Sequence, residues 1–120
     1  IANIAMIAYD PYNSSYIMDR CKEEGLTTLQ IMQGYRMLSG PTKTFRSYVY
    51  NRKIRHEFNP IFNWCVSNAI TSKDKFNNEI LDKVKSSNKI DLLAASIFSF
   101  LACDKNKEYY FNRDYSDYMV

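Results

Sequence analysis

The alternation of apolar and polar positions first predicts a strand and then a helix. Residues 3–10 are almost continuously apolar and end in an aspartate, a pattern typical of a strand buried on both faces. Pro11 ends this strand, and the polar residues 13–15 provide an N-cap for a helix that runs to about Glu24. The residues expected to face inward from this helix are Tyr16, Ile17 and Cys21.

A second strand follows this helix closely along the chain. Gly25 suits the left-handed position after a helix, and residues 27–33 then alternate between apolar and polar side chains. Strand, helix and strand in this order predict a right-handed parallel unit. The next helix is predicted to begin at residues 39–41, where a proline occupies a first-turn position.

The remaining pattern predicts a short helix, a hairpin and a long helix. Asn59-Pro60 opens the short helix, in which Trp64 is expected to be core. Residues 69–73 and 79–85 are predicted to pair across a turn at Asn77-Asn78. Polar residues 86–88 then form a linker and a cap for the last helix. Its apolar face is predicted to hold Ile90, Leu93, Ala94, Ile97, Phe98 and Leu101.

Composition narrows the possible chemistry. The chain has 120 residues, which suits one domain, with 46% hydrophobic residues and a net charge of +3. Three scattered cysteines favour reduced thiols in a cytosolic setting, and neither a signal peptide nor a membrane span is expected. With His56 as the single histidine, a zinc site or a histidine-based triad is disfavoured. Any bound metal is therefore expected to have carboxylate ligands, which suit Mg²⁺ or Mn²⁺.

Two aspartates are candidates for such a site. Asp10 ends the first strand, and Asp91 lies in the first turn of the last helix, followed by the small residues Ala94 and Ala95 that allow close packing on a sheet. Two carboxylates brought together repel each other unless a cation or a proton lies between them. The alternative is structural, with Asp91 acting only as a dipole partner of its helix and Asp10 only as a turn residue.

Basic residues concentrate between the second strand and the short helix. They include Lys43, Arg46, Arg52 and Lys53. Such residues could neutralise DNA phosphates, in which case binding would depend steeply on salt. A solvated helix face explains them equally well.

The motifs in combination resemble the C-terminal half of the nuclease domain of tailed-phage terminase large subunits. The resemblance spans about residues 3–103. The matching positions are Tyr9-Asp10, Asn13, His56, Asn59-Pro60, Trp64, Asn68, Lys73, Asp74 and Lys89-Ile90-Asp91. The Asn-Pro-x-x-x-Trp motif together with the Lys-Ile-Asp helix start carries most of its specificity.

This resemblance implies a partial ribonuclease H-like α/β fold: a parallel strand-helix-strand unit, a β-hairpin and a C-terminal helix. It also implies that Asp10 and Asp91 are catalytic and hold Mg²⁺ or Mn²⁺, in a two-metal site of the intact domain. The family's third acid lies on an earlier strand, and no Asp or Glu precedes Asp10 here. We therefore expect a nuclease fragment that is catalytically incomplete alone. The alternative is a non-catalytic DNA-binding or assembly module, such as a prophage remnant.

Three further residues have accessory roles in this interpretation. Asp74 lies in the matching hairpin, His56 could contact phosphate, and Lys89 could stabilise charge on the reacting phosphate. Each has a structural alternative: turn chemistry for Asp74, a helix-end cap for His56 and a solvent-facing position for Lys89.

The resemblance also sets expectations for domains and partners. Residues 1–103 would form the nuclease portion and residues 104–120 an aromatic-rich tail. The expected activity is endonucleolytic cutting of concatemeric double-stranded viral DNA in the host cytoplasm. In the intact protein the partners would be an ATPase motor domain, the small terminase subunit and the portal. The first strand would have an open edge, covered either by the tail from Tyr109 to Tyr118 or by a two-fold dimer.

Overall fold

The computed structural model describes residues 3–107, which form a mixed α/β arrangement as predicted. The elements in chain order are β1 (Ile7–Tyr9), α1 (Ser15–Glu23), β2 (Thr28–Gln30), α2 (Tyr35–Tyr50), α3 (Pro60–Asn68), β3 (Thr71–Lys73), β4 (Glu79–Leu81) and α4 (Asp91–Lys105). The predicted tail began at residue 104, but α4 extends to Lys105. Residues 108–120, which hold the segment from Tyr109 to Tyr118, lie outside the described residues, so contact of this segment with the first strand stays a prediction. Across residues 3–107, no helix is long and apolar enough to cross a bilayer.

The predicted parallel unit is confirmed. β1 pairs in parallel with β2, with Tyr9 opposite Gln30, and the backbone N–H of Ile31 donates to the Tyr9 carbonyl at 2.8 Å. Between α1 and β2, Gly25 adopts the left-handed conformation, with φ of +79°. Because parallel strands present their carboxyl ends at one edge, this pairing brings the residues after β1 and β2 together.

The inward face of α1 differs from the prediction. Tyr16 and Ile17 are 75% and 59% exposed, whereas Met18 is the buried residue of this helix. α1 packs against β2, and Met18 is the residue that this packing buries. β1 itself is half-buried rather than buried on both faces, because in residues 3–107 it pairs with β2 alone.

α2 begins earlier than its proline suggested. It starts at Tyr35 after Gly34, whose φ of +133° suits a glycine, and Pro41 lies inside the helix. Leu38 belongs to a buried cluster with Ile31 and Leu101, and this packing supports the first turn of the helix. Tertiary contact therefore outweighs the local start signal.

The predicted hairpin is confirmed, with shorter strands. β3 and β4 pair antiparallel, and the left-handed Asn77, with φ of +63°, makes the turn. β4 ends at Leu81 because the next residue turns the chain: Asp82 Oδ1 accepts the backbone N–H groups of Val84 and Lys85 at 3.0 and 2.9 Å.

α4 joins the two buried clusters of the core, as its predicted apolar face requires. Leu93 and Ile97 pack with Phe45 and Cys65, whereas Leu101 packs with Ile31 and Leu38. The residue at the N-cap position of α4 is Ile90 rather than a polar linker residue, and it is buried. Trp64, expected in the core, is 43% exposed, because α3 buries the neighbouring Cys65 instead.

A buried ion pair fixes the hairpin to α2. Glu79 begins β4, is fully buried and pairs with Arg46 of α2. Thr71 Oγ1 donates to the same carboxylate at 2.7 Å, and Ser39 Oγ accepts the Glu79 backbone N–H at 2.9 Å. This cluster holds β4, and the residues that follow it, against α2.

We expect Arg46→Met to lower the free energy of unfolding, because it leaves the Glu79 carboxylate buried without its cation. The loss should be about 2–3 kcal/mol, below the ~3–5 kcal/mol typical of fully buried pairs, since the Arg46 side chain is 45% exposed. Urea denaturation measures it, and Arg36→Met, at an exposed position of the same helix, is the matched control. Equal stabilities for the two variants would contradict a structural role for the pair.

Candidate metal centre

Asp10 lies directly after β1, and its carboxylate is held by groups from two neighbouring segments. Oδ1 accepts the backbone N–H of Tyr12 at 2.8 Å, and Oδ2 accepts Nε2 of Gln33 at 2.6 Å. Ser14 Oγ donates to the Asp10 carbonyl at 2.5 Å. The turn forced by Pro11 thus fixes both the backbone and the side chain of Asp10.

These contacts favour the charged form of Asp10. The pKa of the Asp10 carboxyl is lowered, most of all by the Tyr12 backbone N–H. Burial, the next largest effect, opposes this shift, and Gln33 and the positive charge of Lys83 lower the pKa further. A depressed pKa in the folded state adds stability above the unfolded pKa, and this contribution is lost as pH falls through the folded value. Asp10 is therefore an anion at neutral pH.

Asp91 lies in the same cleft as Asp10. It is the first residue of α4, where unpaired backbone N–H groups and the helix dipole favour a negative charge. The cleft has a volume of about 240 Å³, and Gln33 and Lys83 are its other long polar residues. The residues that complete its lining are Leu38, Thr42, Ile80, Leu81, Ala94, Ala95, Ile97 and Phe98.

The donor groups of the cleft suit a hard cation. Asp10 and Asp91 provide carboxylate oxygens. Mg²⁺ is commonly held by one or two carboxylates, with water and substrate phosphate completing its shell. Among residues 3–107, no group of three or more His, Cys, Asp or Glu side chains is placed to hold a metal ion. The acidic residues of the cleft are Asp10 and Asp91.

Asp74 lies away from the cleft, in the turn of the β-hairpin. Its Oδ1 accepts the N–H groups of Phe76 and Asn78, both at 2.9 Å, and its Oδ2 accepts Asn78 Nδ2 at 2.8 Å. The side-chain hydrogen bond from Asn78 is the largest cause of its lowered pKa. These contacts explain Asp74 as a turn residue.

His56 and Lys89 are also outside the lining of the cleft. His56 Nδ1 accepts the Phe58 N–H at 3.1 Å, and its ring lies 5.2 Å from that of Phe62. Lys89 is exposed, and its carbonyl accepts Asn68 Nδ2 at 3.1 Å. The described contacts of both residues are structural, and their accessory roles stay predictions.

The basic residues are distributed along α2 and just beyond it. Lys43 is half-buried and lies near Asp74, whereas the guanidinium of Arg46 pairs with Glu79. Arg52 has a left-handed φ of +54°, and Lys53 Nζ lies 5.4 Å from the Tyr48 ring centroid. Lys53 and Arg52 are exposed and remain the better candidates for phosphate contact.

Two residues of the cleft were not identified from the sequence. Gln33 lies three residues after the end of β2, and Asp10 lies directly after β1. The rule that ligands bind at the carboxyl ends of parallel strands could therefore have pointed to the segment that carries Gln33. Lys83 comes after the hairpin, inside a run of mixed charges, where no local signal distinguishes it. Together they place an amide and a cation beside Asp10.

Comparison with known proteins relates this cleft to one family. The family model described as terminase large subunit, endonuclease domain, matches residues 1–107. The large terminase subunit of Enterobacteria phage HK97 is 28% identical, with 82% of this chain and 22% of that protein aligned. Protein YmfN of Escherichia coli K12 is 27% identical, with the same coverage. The chain thus spans about a fifth of the length of these curated relatives.

A solved structure supports the same relationship. The crystal structure of the HK97 bacteriophage large terminase matches with a TM-score of 0.73 and 26% identity, covering 83% of this chain and 21% of that one. This likeness confirms the expected fold class for the arrangement of strands and helices described above. The chain belongs to the endonuclease-domain family of terminase large subunits.

Proposed function

We propose that this chain forms the part of a terminase nuclease domain that binds Mg²⁺ or Mn²⁺ and directs hydrolysis of viral DNA. The observation that carries the proposal is that Asp10, at the end of β1, and Asp91, at the start of α4, line the same cleft. When bound, the metal ions would activate water and stabilise charge on the phosphate.

The remaining polar groups of the cleft suit a phosphodiester substrate. Lys83 lines the cleft and adds positive charge beside the two acids. Lys83 and metal ions held by the two acids would contact DNA phosphates rather than base edges. Cleavage would therefore need little recognition of the DNA sequence. The exposed Arg52 and Lys53 could extend phosphate contact beyond the cleft.

The substrate and partners proposed for the whole protein are those that the family resemblance implies. The substrate would be concatemeric double-stranded DNA, cut during packaging. The ATPase motor domain, small terminase subunit and portal would act with the intact protein. In this chain the site supplies two of the three acids that the family resemblance implies, and we propose that residues 1–120 alone are catalytically incomplete.

A second candidate is a non-catalytic DNA-binding or assembly module. It is favoured by the lack, among residues 3–107, of a cluster of three metal-ligating side chains. In that case DNA binding would depend on salt but not on divalent cations.

Nicking of supercoiled plasmid in Mn²⁺ distinguishes the two candidates. We expect residues 1–120 to nick at or near background, because two acids can hold one cation but do not complete the two-metal site that hydrolysis would need. A longer protein that carries an acid on an earlier strand should nick efficiently and lose this activity on Asp91→Asn. Efficient nicking by residues 1–120 that Asp91→Asn abolishes would contradict incompleteness, whereas an inactive longer protein that binds DNA would favour the second candidate.

A further inference from the structure

Gln33 contacts Asp10 from the neighbouring strand end. Its Nε2 lies 2.6 Å from Asp10 Oδ2, although the two residues are 23 positions apart in the chain. An ionised carboxylate only accepts hydrogen bonds, so the amide nitrogen must be the group that faces it. The contact is a charge-assisted hydrogen bond of short length.

The backbone on both sides of Gln33 is held in place. Two positions earlier, Ile31 is fully buried, and its N–H is bonded to the Tyr9 carbonyl directly before Asp10. One position later, Gly34 is the N-cap residue of α2. The side chain of Gln33 therefore starts from a fixed point relative to Asp10.

The two donors to Asp10 divide its oxygens. The Tyr12 N–H occupies one position on Oδ1 and Gln33 occupies one on Oδ2. A carboxylate has about four such positions, so each oxygen keeps capacity for another partner in the cleft. Removing Gln33 would leave the carboxylate held at Oδ1 alone, by the Tyr12 N–H, and Oδ2 would lose its described partner.

We propose that Gln33 is a positioning residue that holds the Asp10 carboxylate in the orientation in which it binds a divalent cation. The inference rests on the proposed function, since it assigns Asp10 as a ligand. Partners that orient a ligating side chain typically change metal affinity by about 10–100-fold when they are removed.

Manganese titration calorimetry on residues 1–120 tests the proposal. Gln33→Met keeps the length of the side chain and removes its donor, and we expect Mn²⁺ affinity to fall about 10–100-fold. Gln30→Met is the matched control, because Gln30 is an exposed glutamine at the end of β2 that contacts Met32 rather than Asp10. Its Mn²⁺ affinity should equal that of the unchanged chain.

A second measurement separates positioning from general stability. In the longer, active protein, Gln33→Met should raise the Mn²⁺ concentration needed for half-maximal nicking while leaving the rate at saturating Mn²⁺ little changed. Unchanged Mn²⁺ affinity in Gln33→Met, with binding intact in the parent chain, would overturn the positioning role alone. No Mn²⁺ binding by the parent chain would overturn both this inference and the proposed function.

Discussion

Asp91→Asn is expected to remove divalent-cation binding from the cleft. Asp91 and Asp10 are its two carboxylates, and the change keeps the shape of the side chain while removing half of the negative charge that faces the cation. Since loss of an orienting partner already costs about 10–100-fold, loss of a ligand should weaken Mn²⁺ binding by about 100-fold or more. Titration calorimetry on the purified chain measures the change.

The control for this experiment is Asp19→Asn. Asp19 is an exposed aspartate of α1 that pairs with Lys22 at 3.8 Å and is not among the cleft residues. It changes net charge equally, so any general electrostatic effect on Mn²⁺ binding appears in both variants. Equal loss of affinity in both would show that the cation binds diffusely and not between Asp10 and Asp91.

Ile31→Ala is expected to cause the largest loss of stability. Ile31 is fully buried and joins β2 to Leu38 of α2 and Leu101 of α4. Truncating such a side chain costs about 3–4 kcal/mol through lost burial and the cavity that remains. Domains of ordinary size have only about 5–15 kcal/mol of stability, so the loss is a large fraction of the total.

Urea denaturation with Ile61→Ala as the control tests this expectation. Ile61 is 59% exposed, and its truncation should change the unfolding free energy by less than about 0.5 kcal/mol. If the two variants are equally stable, Ile31 does not join these elements as described. Because Ile31 also fixes the segment that carries Gln33, Ile31→Ala should weaken Mn²⁺ binding as well.

The sequence predicted a helix or strand correctly where the residues that determine it are neighbours along the chain. Asn59 caps α3 through Oδ1, which accepts the Ile61 and Phe62 N–H groups, and this contact lies within four residues of chain. α4 crosses the core along its length, so its apolar spacing is visible over several turns. Signals of this kind depend on neighbours in the sequence.

The errors arise where distant contacts decide the outcome. Pro41 would mark a helix start, but packing of Leu38 extends α2 back to Tyr35. α1 is short and contacts little besides β2, so the positions of the apolar residues Tyr16 and Ile17 do not indicate which face of the helix is buried. Propensity is a weak guide in such segments.

The residues of the candidate site also fall into two groups, those with a local sequence signal and those placed by distant contacts. Asp10 and Asp91 stood out because a carboxylate at a strand end or at a helix start has a recognisable sequence context. Gln33 and Lys83 did not, since their place beside Asp10 depends on how β2 pairs with β1 and where the chain turns after β4. The two candidate carboxylates were therefore more predictable than the polar groups that lie beside them.

A crystal of the chain soaked in Mn²⁺, with anomalous diffraction recorded at the manganese edge, tests the central claim most directly. We expect an anomalous peak in the cleft, within about 2.5 Å of carboxylate oxygens of both Asp10 and Asp91. A peak bound only elsewhere, or an empty cleft in fully soaked crystals, would contradict it.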